Sequence, residues 1–277
     1  MKTPTPTPSA ALLASVLTFI ALTPGMAGGP LTPSGPPSDP ATHGRSLTEI
    51  YDAVTGGRTL LAGGTSMIVI SQPGSYRLTG NITVASGNAI NIISGDVQLD
   101  LNGFTLRSTA ATASGRAIHI ADGADNIRVR NGSIRGGYTP PGAAGSGGGF
   151  LHGVVFDWAS GSSADNLTFE DLNISGINSI ALGNVNPTDP QASFKVVVAR
   201  RVSIARSFGG IAFVAAAGNT LFGKVIDCQV SCHNTLGDAI AADIVLHSYA
   251  HNGNGAGGGT SSSGIHASSD WMNNSQP

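Results

Sequence analysis

The sequence predicts an all-β chain wound as a right-handed parallel β-helix of about seven coils, and three observations predict it. The first is a short signature, a small residue followed by apolar–any–apolar. It returns as Ala89-Ile90-Asn91-Ile92, Ala117-Ile118-His119-Ile120, Gly153-Val154-Val155-Phe156, Ser179-Ile180-Ala181-Leu182, Gly210-Ile211-Ala212-Phe213, Ala239-Ile240-Ala241-Ala242 and Gly264-Ile265-His266-Ala267. Short strands at a period of roughly 25–36 residues are the mark of a solenoid, in which each repeat buries its apolar face only against its neighbours. The second is a longer signature between those copies: Leu101-Asn102-Gly103-Phe104-Thr105-Leu106, Val129 to Ile134, Phe169 to Ile174, Ala199 to Ile204 and Val225 to Val230. Its positions one, four and six are mostly apolar. Strict strand alternation would turn position four outward, so a corner must fall at positions two and three. The third is the occupancy of position three by Gly103, Asn131, Asp171, Arg201 and Asp227. Four of these five tolerate left-handed backbone, as such a corner requires. Arg201 is the exception, where strain or another bend is expected.

The elements follow in order. Lys2, the apolar run Ala10 to Leu22 and the small residues Gly25-Met26-Ala27 read as a secretory signal peptide over 1–27 rather than a membrane span. Residues 28–44 are a Pro-rich linker. Within 45–60, Ser46-Leu47-Thr48-Glu49 is a capping box, and Leu47, Ile50, Tyr51 and Val54 recur at helical spacing. A short helix over Ser46 to Thr55 is predicted to close the N-terminal mouth of the coil. Residues 61–277 form the β-helix, led in by strands near Met67–Ile70 and Tyr76–Leu78. At the far end the last short signature has no partner strands after it. Either Trp271 and Met272 plug the final coil, or a sheet edge is exposed there.

Each coil directs roughly five or six apolar side chains inward, at ~1.5–3 kcal/mol apiece. Ordering the coil's backbone offsets most of that gain, so the stack is the folding unit. Cys228 and Cys232 read as buried thiols, with a corner disulfide as the second reading. The net charge of −2 and the 11% of charged residues supply no basic stripe for nucleic acid and no acidic tail.

Ser71-Gln72-Pro73-Gly74-Ser75-Tyr76-Arg77-Leu78-Thr79-Gly80-Asn81-Ile82, Leu99-Asp100-Leu101-Asn102-Gly103-Phe104 and Asn126-Ile127-Arg128-Val129-Arg130-Asn131-Gly132 resemble secreted bacterial right-handed β-helix repeat proteins of the broad pectin-lyase-like superfamily. The resemblance runs from 68 to about 267 and implies that fold. It does not carry a site with it. The Asn-Thr-Asp, Asp-Asp, Gly-His-Gly and Arg-Ile-Lys motifs of polygalacturonase-like enzymes do not occur, nor do the Asp-rich calcium cluster and Arg-x-Pro-x-x-Arg of pectate lyases.

Candidate site residues therefore come from the coil itself. Positions two and three should stack as ladders of alternating sign, Arg130–Glu170–Arg200 and Asp171–Arg201–Asp227, with rungs about 4.8 Å apart. Such a ladder is ordinarily a solvated charge array. The functional alternative is a sugar-binding face with Arg130 and Arg200 gripping carboxylates and Glu170 as an acid or base. Between two arginines, Glu170 suits a structural role better than a general acid. Position five (Thr105, Ser133, Asn173, Ser203, Gln229) is a polar column able to meet sugar hydroxyls, or simply the outside of a strand.

Insertions at Asp157 to Asn166, Gly183 to Lys195 and Val214 to Gly223 could build a wall at one corner. There Trp158 would stack on a sugar, with Asp157, Asp165, Asp189 and Lys195 nearby. Asp157 and Glu170 are the catalytic candidates. Gly136 to Gly149 has the composition of a mobile flap. His119 and His266 share a column several coils apart, and His247 and His251 would bind zinc only on a helix. No metal or cofactor is expected. The function these readings favour is a secreted, non-catalytic carbohydrate-binding or surface-attachment module acting on extracellular polysaccharide; a polysaccharide lyase or glycoside hydrolase with an unrecognised site is the alternative.

Overall fold

A computed structural model of the chain describes residues 59–140, 142–157, 166–185, 195–213, 221–233, 238–253 and 265–272. The segments expected to be a leader and a linker, and all but the end of the expected capping helix, lie outside these residues. Thr59 and Leu60, at that end, already belong to the first strand.

The described chain is a parallel β-helix, and its strands line up as three sheets along the stack. The first sheet holds the short signature: β2 (Ile68–Ile70), β5 (Ile90–Ile92), β8 (Arg116–Ile120), β10 (His152–Asp157), β12 (Leu182–Val185), β15 (Ile211–Ala212) and the opening residues of β18 (Ile240–Leu246) and β20 (Ile265–Met272). The second contains β1 (Thr59–Leu61), β3 (Gly74–Leu78), β6 (Val97–Asp100), the first halves of β9 (Ile127–Arg135) and β11 (Leu167–Ser175), then β13 (Lys195–Arg200), β16 (Leu221–Ile226) and the ends of β18 and β20. The third contains β4 (Ile82–Val84), β7 (Thr105–Ser108), the second halves of β9 and β11, β14 (Ser203–Ser207), β17 (Gln229–Cys232) and β19 (Tyr249–Asn252). Every pairing between these strands is parallel, one coil to the next.

Stacking like on like fills the interior with aliphatic columns. In the first sheet Ile90, Ile118, Val154, Leu182, Ile211, Ile240 and Ile265 occupy one register and are all buried. The second sheet contributes Leu99, Val129, Phe169, Ala199 and Val225; the third contributes Ile82, Leu106, Ile134, Ile174, Ile204 and Val230. Phe156 stacks on Phe169 at 6.5 Å between ring centroids and meets Phe213 at 6.3 Å. Each column is shared along the stack, so burial accrues only when coils stand on one another.

Two register expectations need correction. The fourth short signature is Ala181-Leu182-Gly183-Asn184, not Ser179-Ile180-Ala181-Leu182: Leu182 pairs with Val154 and Ile211, and Ile180 is only half-buried. The slip arises because Asn184, 4% exposed, puts a polar residue at the last inward position and breaks the true copy's pattern. In the second signature Leu99, not Leu101, pairs with Val129, so the first rung carries two extra residues at its corner. Leu101 is nevertheless fully buried.

The corner itself is as expected and more uniform. Asn131, Asp171, Arg201 and Asp227 have φ between 51° and 60°, and His247 continues the series at 49°. Arg201 thus takes the same left-handed bend as its neighbours. The corner that opens the second sheet repeats the device with Asp96, Asn126 and Asn166. Their side chains chain together, Asn126 Nδ2 donating to Asp96 Oδ1 at 3.0 Å and Asn166 Nδ2 to Asn126 Oδ1 at 3.1 Å. Short polar side chains both tolerate this backbone and saturate one another up the stack.

At the C-terminal end β20 carries Asp270, Trp271 and Met272 in register with Ile244, Val245 and Leu246. Those residues extend the second sheet by one rung. Cys228 and Cys232 are buried and not joined in a disulfide, and burial pushes the Cys228 thiol up to about 11. The described residues of the Gly136 to Gly149 segment are tied to neighbouring coils by hydrogen bonds. Buried Asn178 accepts from Gly147 N and donates to the carbonyls of Gly148 and Phe150, while Tyr138 packs edge-on against Phe208.

Candidate functional site

Outward side chains of the second sheet form an ion-pair lattice rather than the simple ladder. Glu170 is 7% exposed and takes Arg128, one coil earlier and two residues from the expected Arg130, as its partner through both Nε and Nη2. Arg130 instead reaches Asp100 at 3.3 Å, which also accepts from Asn131 Nδ2 and the Asn102 amide. Arg200 is half-buried and forms no ion pair among the described residues. A carboxylate locked this way holds the sheet together and is poorly placed to exchange protons with a ligand.

At the corner Arg201 grips Asp171 with two bonds, 2.6 and 2.9 Å, as the alternating ladder predicts. The Arg201 hydrogen bond, opposed by slight desolvation and helped by nearby arginine charge, draws the Asp171 carboxyl below its usual range. Asp227 turns to His247, 3.6 Å away, in the following coil.

A cluster that sequence reasoning did not assemble lies on the outside of the first sheet. Asp157, at the end of β10, meets His119 of β8, Nε2 to Oδ2 at 2.6 Å, and Arg116 Nη1 at 3.5 Å. Burial alone would raise the Asp157 carboxyl; the His119 hydrogen bond and the charges of His119 and Arg116 outweigh it and hold the group below its usual value. His152, opposite Arg116 in register, has a buried Nδ1 without a hydrogen-bond partner. Burial first, and the Arg116 charge second, hold its imidazole down to about 4. Strand pairing would have exposed this meeting in the sequence had the one-coil register of Arg116 and His152 been drawn. Trp158, Asp165 and Asp189 lie outside the described residues, and Lys195 is placed only by its backbone, opening β13.

The position-five column, in contrast, is realised in full on the third sheet. Thr105, Ser133, Asn173, Ser203 and Gln229 pair rung by rung, and Tyr249 continues the row, 41% exposed. Their alternate neighbours Leu106, Ile134, Ile174, Ile204 and Val230 are buried, so the row faces outward along one continuous strip. At its N-terminal end the strip opens into a groove of about 410 Å³ lined by Asn81, Thr83, Thr105, Arg107, Arg135 and Gly136. Asn81 Oδ1 is fixed there by the Thr105 amide at 2.8 Å.

Among the described residues no group of three or more His, Cys, Asp or Glu could hold a metal ion, and His247 and His251 sit on a corner and a strand rather than a helix. No helix is long and apolar enough among them to cross a membrane. Compared with known protein families, curated proteins and solved structures, the chain matches none.

Proposed function

We propose that the chain is an extracellular, non-catalytic carbohydrate-binding module whose working surface is the outer face of the third sheet. The observation that carries this is the in-register polar strip from Thr105 to Gln229 opening into the groove at Arg107 and Arg135. Hydroxyls and amides repeated every ~4.8 Å on a rigid surface offer a polymer a periodic set of donors and acceptors. The strip demands no loop ordering on binding. The leader-like residues 1–27 and the resemblance to pectin-lyase-like repeat proteins support a secreted setting. Incubation of the mature protein with immobilised neutral and acidic polysaccharides tests the reading: retention without release of products supports it, and turnover overturns it.

A second reading is enzymatic and rests on the 2.6 Å bond between His119 and Asp157. With Nε2 engaged by the carboxylate, Nδ1 is the ring's other proton site and would serve as the base toward a sugar carbon or water. Product release abolished by both Asp157→Asn and His119→Ala would favour this reading over the first.

A further inference from the structure

We infer that Arg107 and Arg135 form an oxyanion site that reads sulfate or phosphate monoester groups on the polymer bound along the third sheet. The inference rests on the carbohydrate-binding reading and names the substituent it recognises. The two arginines are direct register partners on β7 and β9, one rung apart, both exposed and both lining the groove. Like charges directly opposite one another destabilise a sheet. Elsewhere on the described surface Arg116, Arg128, Arg130 and Arg201 each have a carboxylate partner. Arg107 and Arg135, like Arg200 and Arg206, have none among the described residues, but these two stand directly opposite one another in register, and their groove neighbours Asn81, Thr83 and Thr105 are uncharged. A repelling pair kept open at the head of a polar strip is a site whose counter-charge comes from outside.

The number of forks indicates which anion. One guanidinium already satisfies a carboxylate through two parallel bonds. Two guanidiniums carried on one face by register partners of strands about 4.8 Å apart present more donors than two oxygens can take up. A monoester of sulfuric or phosphoric acid has three free oxygens, and a phosphate monoester also carries nearly two charges. It fills both forks at once. Asn81, Thr83 and Thr105 are placed to meet the sugar that bears it. Among the described residues of this face Tyr249 is a single exposed aromatic and there is no aromatic row on which bases could stack, which disfavours single-stranded nucleic acid.

The test compares plain dextran, carboxymethyl dextran and dextran sulfate of matched length and charge, with single-stranded DNA as a further arm, against the full chain and its R107Q/R135Q and R107K/R135K variants. Dextran sulfate should bind at least tenfold tighter than carboxymethyl dextran. The Gln pair should abolish that preference, and the Lys pair should lose it while keeping salt-sensitive attraction to both anionic polymers. Without ligand the Gln pair should melt about 1–2 °C higher, because a repulsion is removed, so weakened binding cannot be assigned to misfolding. Equal binding of the two anionic polymers, a preference that survives the Gln pair, or tighter binding of DNA would overturn the inference. Retention of plain and sulfated dextran alike would sink the oxyanion site and leave the carbohydrate reading standing. Inorganic sulfate raising the melting temperature only when both arginines are present, with no polysaccharide retained, would support the oxyanion site and sink the carbohydrate reading.

Discussion

A Cβ on Gly132 would lie 2.3 Å from the Cβ of Leu101, so the two residues share one volume across neighbouring coils. Gly132 stands at position four of its signature, where Leu172, Val202 and Cys228 fill the same place in later coils. Here the filling comes from the coil before, whose corner is two residues longer and tucks Leu101 into the interior. The longer corner and the glycine are two halves of one packing solution.

This makes a coupled pair. Gly132→Ala should destabilise the chain by about 1–3 kcal/mol through overpacking, and Leu101→Gly should cost at least as much through a cavity. In the Leu101→Gly background the added Gly132→Ala methyl should cost little or nothing, a coupling of order 1 kcal/mol or more. Urea unfolding of the four proteins measures it.

The corrected register in the first sheet separates two neighbours. Leu182 stands in the buried column between Val154 and Ile211, and Ile180 does not. Leu182→Ala should therefore cost about 2–5 kcal/mol and Ile180→Ala clearly less. Equal losses in thermal melts would restore the other frame.

The coil was legible because its cause is local: alternating apolar positions and αL-tolerant residues at Asn131, Asp171 and Asp227 are visible one residue at a time. What misled was wherever one coil compensates for another. Asn184 hid a true repeat behind a polar inward residue, and Leu101 mimicked position one of a rung it does not occupy. The site was less legible for the same reason. Glu170 has Arg128 as its partner instead of Arg130, and Asp157 finds His119 38 residues away, because side-chain reach across rungs, not residue type, decides the partner. Position five was readable since a polar column needs only the repeat.

Asn178 fastens the Gly-rich segment through three side-chain hydrogen bonds, while itself fully buried. Its replacement by Ala removes all three bonds, each worth about 0.5–1.5 kcal/mol net, and leaves the Gly147 amide without that partner while the Gly148 carbonyl keeps the Gly137 amide. Asn178→Ala should lose about 2–4 kcal/mol, and proteolysis should open the chain first within 136–149. Cleavage elsewhere before that segment would argue against the pinning role.

His152 gives a pH dependence of fixed sign. Its imidazole titrates near 4 in the fold and near its ordinary 6.5 when unfolded, so the unfolded chain binds more protons between those values. Stability should fall as pH drops from about 6.5 towards 4, by on the order of 2 kcal/mol from this group. The lowered Asp157 carboxyl adds a loss only at still lower pH. Melting curves between pH 7 and 4.5 should flatten in His152→Gln; an unchanged slope would place the dependence on other groups.

The outer face of the third sheet is the centre of the account, and a paired block tests it most directly. Ser133→Tyr puts bulk within the polar strip beside buried Ile134, and Thr168→Tyr puts the same bulk on the outside of the second sheet between buried Leu167 and Phe169. Retention on whichever polysaccharide the parent chain binds best should drop at least tenfold in Ser133→Tyr and hold in Thr168→Tyr. Unchanged retention in the first, or loss only in the second, would contradict it.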